Sequence, residues 1–284
     1  MRFHEYSLTS SHNEIHSIQN SDTVTISTMS DGRIPLYCDW SSIMLHAGSM
    51  PDFYVQTRHR YARLVARVTA DSLSCSFAQS NCRLSLSKST ACSVNAFVER
   101  CPCCSSPGRI EFQTTSGEEF IQICPSSATP ANKWGRLVQS LQVAPRSAAI
   151  NQFQTSPFSS ELPSQSLLTP LHPTLLGKII GTIADSGGNI QATLSNDYSF
   201  HCREIQPASI EANDTFLAVY SDDSTFQIVI QAARHVYLDL SRASPGLTLS
   251  GPQGEPLLTI AAAKDELSKD CFLETLEELI PELL

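Results

Sequence analysis

The sequence predicts an α+β protein made by internal duplication of a large antiparallel β-sheet unit flanked by helices, so that two pseudo-symmetric halves form one chain. Three observations carry this prediction. A pattern recurs after 137 residues, the separation of Gly117 from Gly254; short segments alternate apolar and polar residues; and each copy closes on an apolar stripe at helical spacing.

The repeat is clearest at Gly108–Cys124 laid over Pro245–Ala261, with Glu118 on Glu255 and Ile123 on Ile260. In each copy alternating apolar residues (Ile110 and Phe112; Leu247 and Leu249) lead into a glycine-containing turn. A second apolar segment follows (Phe120–Ile123; Leu257–Ile260), so both stretches predict β-hairpins. Trp134, Leu137, Val138 and Leu141 then stand at i, i+3, i+4, i+7, and Phe272, Leu276, Leu279 and Ile280 make a comparable helical stripe. Upstream, the same shift sets Phe53–Thr57 over Ile190–Leu194 and Tyr61 over Tyr198. A short helix is expected before each: Trp40–Met44, capped by Asp39, and Leu175–Ile183, ended by Gly187-Gly188. Leu64–Val68, Val94–Val98, Phe216–Tyr220 and Phe226–Ile230 are the remaining expected strands. The organisation this predicts is an N-terminal extension at 1–33, a first unit at 34–154, a Pro/Ser-rich connector at 155–173 and a second unit at 174–284.

Composition narrows the function classes. A net charge of -9 opposes general nucleic-acid binding, which needs a surplus of Lys and Arg to displace phosphate counterions. No apolar run approaches the roughly 18 residues that cross a bilayer, and Met1–Ile18 lacks a charged-then-apolar signal pattern, so no membrane insertion and a cytoplasmic location are expected. GxSxG, HExxH, P-loop and GxGxxG signatures are missing, leaving no catalytic residue assigned.

Ordered along the chain, several short pieces resemble the HemS/ChuS family of haem chaperones and haem-degrading proteins. Thr57-Arg58 is similar to the family's "LTRN" strand and Arg109–Ile123 to its "SLQFFDAQGDAVHKI" hairpin. Ser199-Phe200-His201 is placed like "VQIH", and Gly254-Glu255-Pro256 falls where members read "FDADGEPI". The resemblance implies an internally duplicated sheet with flanking helices, and haem or another flat anionic small molecule as cofactor or cargo. It further implies an iron-ligating His just after the first unit's last helix and an Arg facing the opposite side of the porphyrin.

At those two places this chain departs from the pattern. Asn151 stands where the ligand His is expected, and an amide does not replace imidazole as an iron donor. Ser87 stands at the Arg position, with Arg83 and Lys88 near enough to take it over after a slip. His172, in the connector, and His201 or His235, in the second half, are the alternative iron donors; the pocket retained for another ligand, or the fold kept as an interaction module, are the other readings.

Two further features stand out. Arg58-His59-Arg60-Tyr61-Ala62-Arg63 is the densest positive charge in the chain. On a strand Arg58 and Arg60 would share one face, suiting carboxylates such as haem propionates or forming a solvated, edge-protecting face. Cys101-Pro-Cys-Cys104 has the CxxC spacing that holds zinc or performs redox exchange, but no second pair accompanies it. A metal site there must recruit an isolated residue such as Cys82, Cys92 or Cys124; otherwise the segment is a Cys-rich hairpin loop.

Overall fold

The structure, a computed structural model, describes residues 16–20, 24–28, 32–36, 43, 50, 52–69, 82–86, 92–101, 104–143, 168–196, 198–239 and 245–280. An initial hairpin, β1 (His16–Asn20) and β2 (Val24–Thr28), precedes the two copies. The first copy comprises β3 (Ile34–Leu36), β4 (Asp52–His59), β5 (Ala62–Thr69), β6 (Cys82–Leu86), β7 (Cys92–Phe97), β8 (Arg109–Thr114), β9 (Glu119–Pro125) and helix α1 (Ala131–Val143). The second comprises β10 (Leu168–Leu171), α2 (Leu175–Asp185), β11 (Ile190–Ser195), β12 (Ser199–Ile205), β13 (Ser209–Ala212), β14 (Phe216–Tyr220), β15 (Ser224–Val229), β16 (His235–Asp239), β17 (Gly246–Ser250), β18 (Pro256–Ala262) and α3 (Glu266–Leu279). Every strand pairing among the described residues is antiparallel.

The strands form a nine-stranded sheet, β13-β14-β15-β5-β4-β9-β8-β7-β3, and a seven-stranded sheet, β10-β16-β17-β18-β11-β12-β6. Starting from β15, the first runs β15-β5-β4-β9-β8-β7-β3; starting from β6, the second runs β6-β12-β11-β18-β17-β16-β10. The orders are the same, except that the starting strand of each sheet comes from the other half of the chain. β6 is hydrogen-bonded to β12 and β15 to β5, so the two copies exchange a strand.

The duplication holds to the residue. Phe53 faces Val68 and Pro125, and 137 positions later Ile190 faces Ile205 and Ala262. The bulge between Phe112 and Gln113 recurs between Leu249 and Ser250. Each hairpin turn is closed by a glycine in the left-handed region, Gly117 at φ 85 and Gly254 at φ 83, where a side chain would be strained. The expected helices at 134–141 and 272–280 are present, with Trp134, Val138, Leu141, Phe272 and Leu276 buried. Asp265 caps α3 by accepting from the Ser268 N–H at 2.8 Å. α2 ends in a Schellman motif, with Gly188 N–H donating to Ile183 O and Gly187 N–H to Ala184 O. The expected helix at 40–44 lies outside the described residues except for Ile43, which is helical and buried.

The cores interlock as the sheets do. Leu84 of β6 joins the apolar cluster around α1, although its strand belongs to the other sheet. Conversely Leu64 of β5 and Phe226 of β15 join the cluster beneath α2 and α3. At the centre of this exchange Thr57 Oγ1 lies 3.0 Å from His201 Nδ1, tying the nine-stranded sheet to the seven-stranded one, and both side chains are fully buried. The positions related to them by the repeat are Leu194 and Leu64, also fully buried. One side of the pseudo-symmetric junction is therefore polar and the other apolar. Burial, followed by the field of Arg203, pushes the His201 imidazole down to about 3, so it is neutral at ordinary pH.

Helix α1 is seated through Trp134, whose indole N–H donates to Phe97 O at 3.0 Å. A Cβ on Gly108 would stand 2.0 Å from Trp134 Nε1 and 2.3 Å from Phe97 O. Gly108→Ala should therefore unseat α1 and cost about 1–3 kcal/mol in urea unfolding, with a red shift in tryptophan emission. Gly181→Ala, which meets nothing within 4 Å inside α2, should be neutral or stabilising by up to about 1 kcal/mol. The His201 pair predicts a pH effect. Between 6.5 and about 3 the unfolded chain takes up a proton that the folded chain refuses, so stability falls with falling pH by up to about 1.4 kcal/mol per unit from this group. Thr57→Val/His201→Leu, which imitates the apolar side, should retain stability at pH 7.5 and lose that component of the acid slope, as measured by denaturant midpoints across pH.

Candidate functional site

The β4–β5 and β8–β9 turns of the first half and the β11–β12 and β17–β18 turns of the second half meet around one cleft. The cleft, of about 330 Å³, is lined by His59, Arg60 and Tyr61 from the first half and Asn196, Gln253 and Glu255 from the second. His59 and Asn196 are equivalent in the repeat, so the cleft straddles the pseudo-symmetric junction. Its size is at the lower end for small-molecule sites. The sequence marked this stretch only as a charge run, because the partners across the cleft lie more than 130 residues away along the chain.

One expectation for that run is corrected. β4 ends at His59, and His59 pairs with Ala62, so Arg60 and Tyr61 form a two-residue turn and Arg60 does not share a strand face with Arg58. Arg60 instead lies over the Tyr61 ring, 5.3 Å from its centroid. Arg58 is engaged within its own sheet. Its guanidinium donates to Glu119 Oε2 at 2.9 Å and to Gln122 Oε1 at 2.8 Å, and Gln56 accepts from it once its amide is turned to suit its neighbours.

The haem-related candidates separate widely. His201 is an enclosed core residue hydrogen-bonded to Thr57, with no face presented to a ligand. His172 is exposed between β10 and α2, with Nδ1 2.7 Å from Thr174 Oγ1, which orients the ring and leaves Nε2 as the other donor atom. His235 is exposed at the start of β16. Arg83 sits in β6 opposite Cys202, while its side chain, together with Ser87, Lys88 and Asn151, lies outside the described residues.

The CxxC segment has a partner that the sequence named only as one option. Cys101, Cys104 and Cys124 bring their sulfurs within 4.8 Å of one another, with Cys101 Sγ and Cys124 Sγ 3.8 Å apart. Cys101 and Cys124 are buried, Cys104 is half-buried, and none forms a disulfide. Cys124 is the penultimate residue of β9 and Cys101 precedes β8, so closing the β8–β9 hairpin folds the two back together. The amide of Gln122, 2% exposed, donates to Cys101 Sγ at 3.3 Å and Cys124 Sγ at 3.2 Å. Arg109 lies close enough for its charge to be felt at Cys101. Burial opposes that charge, but the Glu111 hydrogen bond and field hold the guanidinium above its ordinary value.

No family model and no curated protein matches the chain. Solved structures do. The apo form of PhuS, a heme-binding protein from Pseudomonas aeruginosa, aligns at a TM-score of 0.66 and 13% identity over 87% of this chain and 86% of that one. Its holo form aligns at 0.67 and 14%, with the same coverage. ChuS, an E. coli heme oxygenase, aligns at 0.66 and 13% over 88% of this chain and 89% of its own. The doubled antiparallel architecture implied by the HemS/ChuS resemblance is thus present, and the chain has the fold of PhuS and ChuS.

Proposed function

We propose that this chain is a haem-utilisation-like protein that binds haem or a related tetrapyrrole in the cytoplasm, for trafficking or degradation, with iron ligation altered from the family pattern. The observation that supports this reading is the agreement in fold over most of the chain with PhuS and ChuS, whose names describe heme binding and heme degradation. Fold alone does not specify a ligand, so donor chemistry must carry the rest. Asn151 offers no iron donor and His201 is enclosed; of the two exposed alternatives, His172 and His235, His172 is the axial candidate, because its Nδ1 is held by Thr174 and it lies in the connector that follows the Asn151 segment. Arg83 and Lys88 are the cations proposed for the opposite side of the porphyrin, since Arg58 is committed to Glu119 and Gln122.

A second reading, a non-enzymatic binding or interaction module that has lost haem, is favoured by the same Asn151 and by the enclosure of His201. Titration of the purified chain with hemin separates the two. The first reading expects a sharp Soret band saturating at one equivalent, weakened by His172→Ala and unaffected by His235→Ala. Broad, non-saturating absorption, with Asn151→His producing no gain, supports the second reading and removes the first.

A further inference from the structure

We infer that Cys101, Cys104 and Cys124 form a three-thiolate site for Zn2+, built into the first copy of the repeat. With Zn–S bonds near 2.3 Å, two sulfurs on one tetrahedral ion stand about 3.8 Å apart. Cys101 and Cys124 already show that separation, and Cys104 lies within 4.8 Å of both on the half-exposed side.

The surroundings suit a metal-bound thiolate. Gln122 has a fixed orientation: Arg58 donates to its carbonyl oxygen, which turns the NH2 group toward both sulfurs. Hydrogen bonds to coordinating atoms position ligands and balance their charge. Arg109, stacked 3.9 Å from the centroid of Phe97 and ion-paired with Glu111, lies near enough to interact with Cys101. The loop itself is held in a demanding shape. Ser105 takes the left-handed region at φ 55, its N–H bonds Cys101 O at 2.9 Å, and the Cys101 N–H bonds Ser106 O at 2.9 Å. A non-glycine residue in that region costs on the order of 1 kcal/mol or more and collects at ligand clamps.

The repeat supplies an internal control. In the second copy the positions equivalent to Arg58, Gln122 and Cys124 are Ser195, Thr259 and Ala261, on strands with the same register. The fold needs neither the sulfur nor its supporting residues there. Their presence in one copy alone is an addition to the scaffold.

Charge selects the ion. Three thiols binding Zn2+ release three protons and leave a complex of net charge -1, whereas Cu+ would leave -2 in a largely buried place with partial compensation. The fourth coordination position is left for water, as in zinc sites with three protein ligands.

The test uses the full chain, stripped of metal and kept reduced. Competition against a chromophoric chelator should show one equivalent of Zn2+ bound, and Co2+ should give the intense thiolate-to-metal absorption of a tetrahedral sulfur site. Cys104→Ser and Cys124→Ser should each weaken Zn2+ by at least about 100-fold and remove that absorption, Gln122→Met should weaken it about 10- to 100-fold, and Cys271→Ser should change nothing. Cys104→Ser, being half-exposed, keeps the test valid if a buried variant misfolds. Absence of saturable uptake, uptake unchanged in Cys104→Ser, or saturation by Cu+ without Zn2+ overturns the assignment. None of these readouts depends on hemin.

Discussion

The exchange of β6 and β15 is the constraint on which the rest of the molecule depends. A strand placed in the other copy's sheet makes its ladder hydrogen bonds there, so neither half completes its sheet alone. The side chains cross between the sheets as well. Leu84 completes the core under α1, while Leu64 and Phe226 complete the core under α2 and α3. Burial of large apolar side chains is the dominant stabilising term in such a body, and the strands at the exchange carry part of it from one sheet to the other. The halves are repeats in sequence but interlocked in packing.

That junction also shows where the copies have diverged. Leu64 and Leu194 fill one side with apolar surface, and Thr57 with His201 fills the other with a hydrogen bond. A buried pair of this kind adds little net stability, because each group gave up water to form it. Its effect is specificity: a slip of β12 by one residue would turn His201 to the opposite face and strand the Thr57 hydroxyl. Register at the junction is thus policed more strictly on the polar side.

Much of this was legible from residue patterns. The hairpins at 109–125 and 246–262 were readable because alternation, a glycine at the turn and a repeated offset agreed with one another, and α1 and α3 because four apolar residues fell on one helical face. What pattern could not carry was partner choice. β6 is five residues long, and nothing local says which sheet it joins. Arg60 was expected on a strand because the run of charges continues past the point at which β4 stops, and the two-residue turn lacks the Gly or Asn that usually announces one. The thiol cluster was half legible. A hairpin returns its end to its beginning, so the pairing of Ile110 with Ile123 draws Cys124 back toward the residues that precede β8, and a predicted register alone would have favoured it over Cys82 or Cys92.

Fold and ligand chemistry make different demands on a sequence. The architecture of PhuS and ChuS survives at 13–14% identity because it requires only apolar alternation, bulges and turn glycines at the right intervals, and many residues satisfy those demands equally well. Ligand chemistry tolerates no such exchange, because an amide is not a poorer imidazole but a different kind of donor for iron. The same argument works in reverse at Cys124, where the second copy shows that Ala261 suffices for the strand. Residues that the scaffold could have left as alanine, threonine or serine, yet which converge as thiols, an oriented amide and an arginine, are the ones whose chemistry needs an explanation beyond folding.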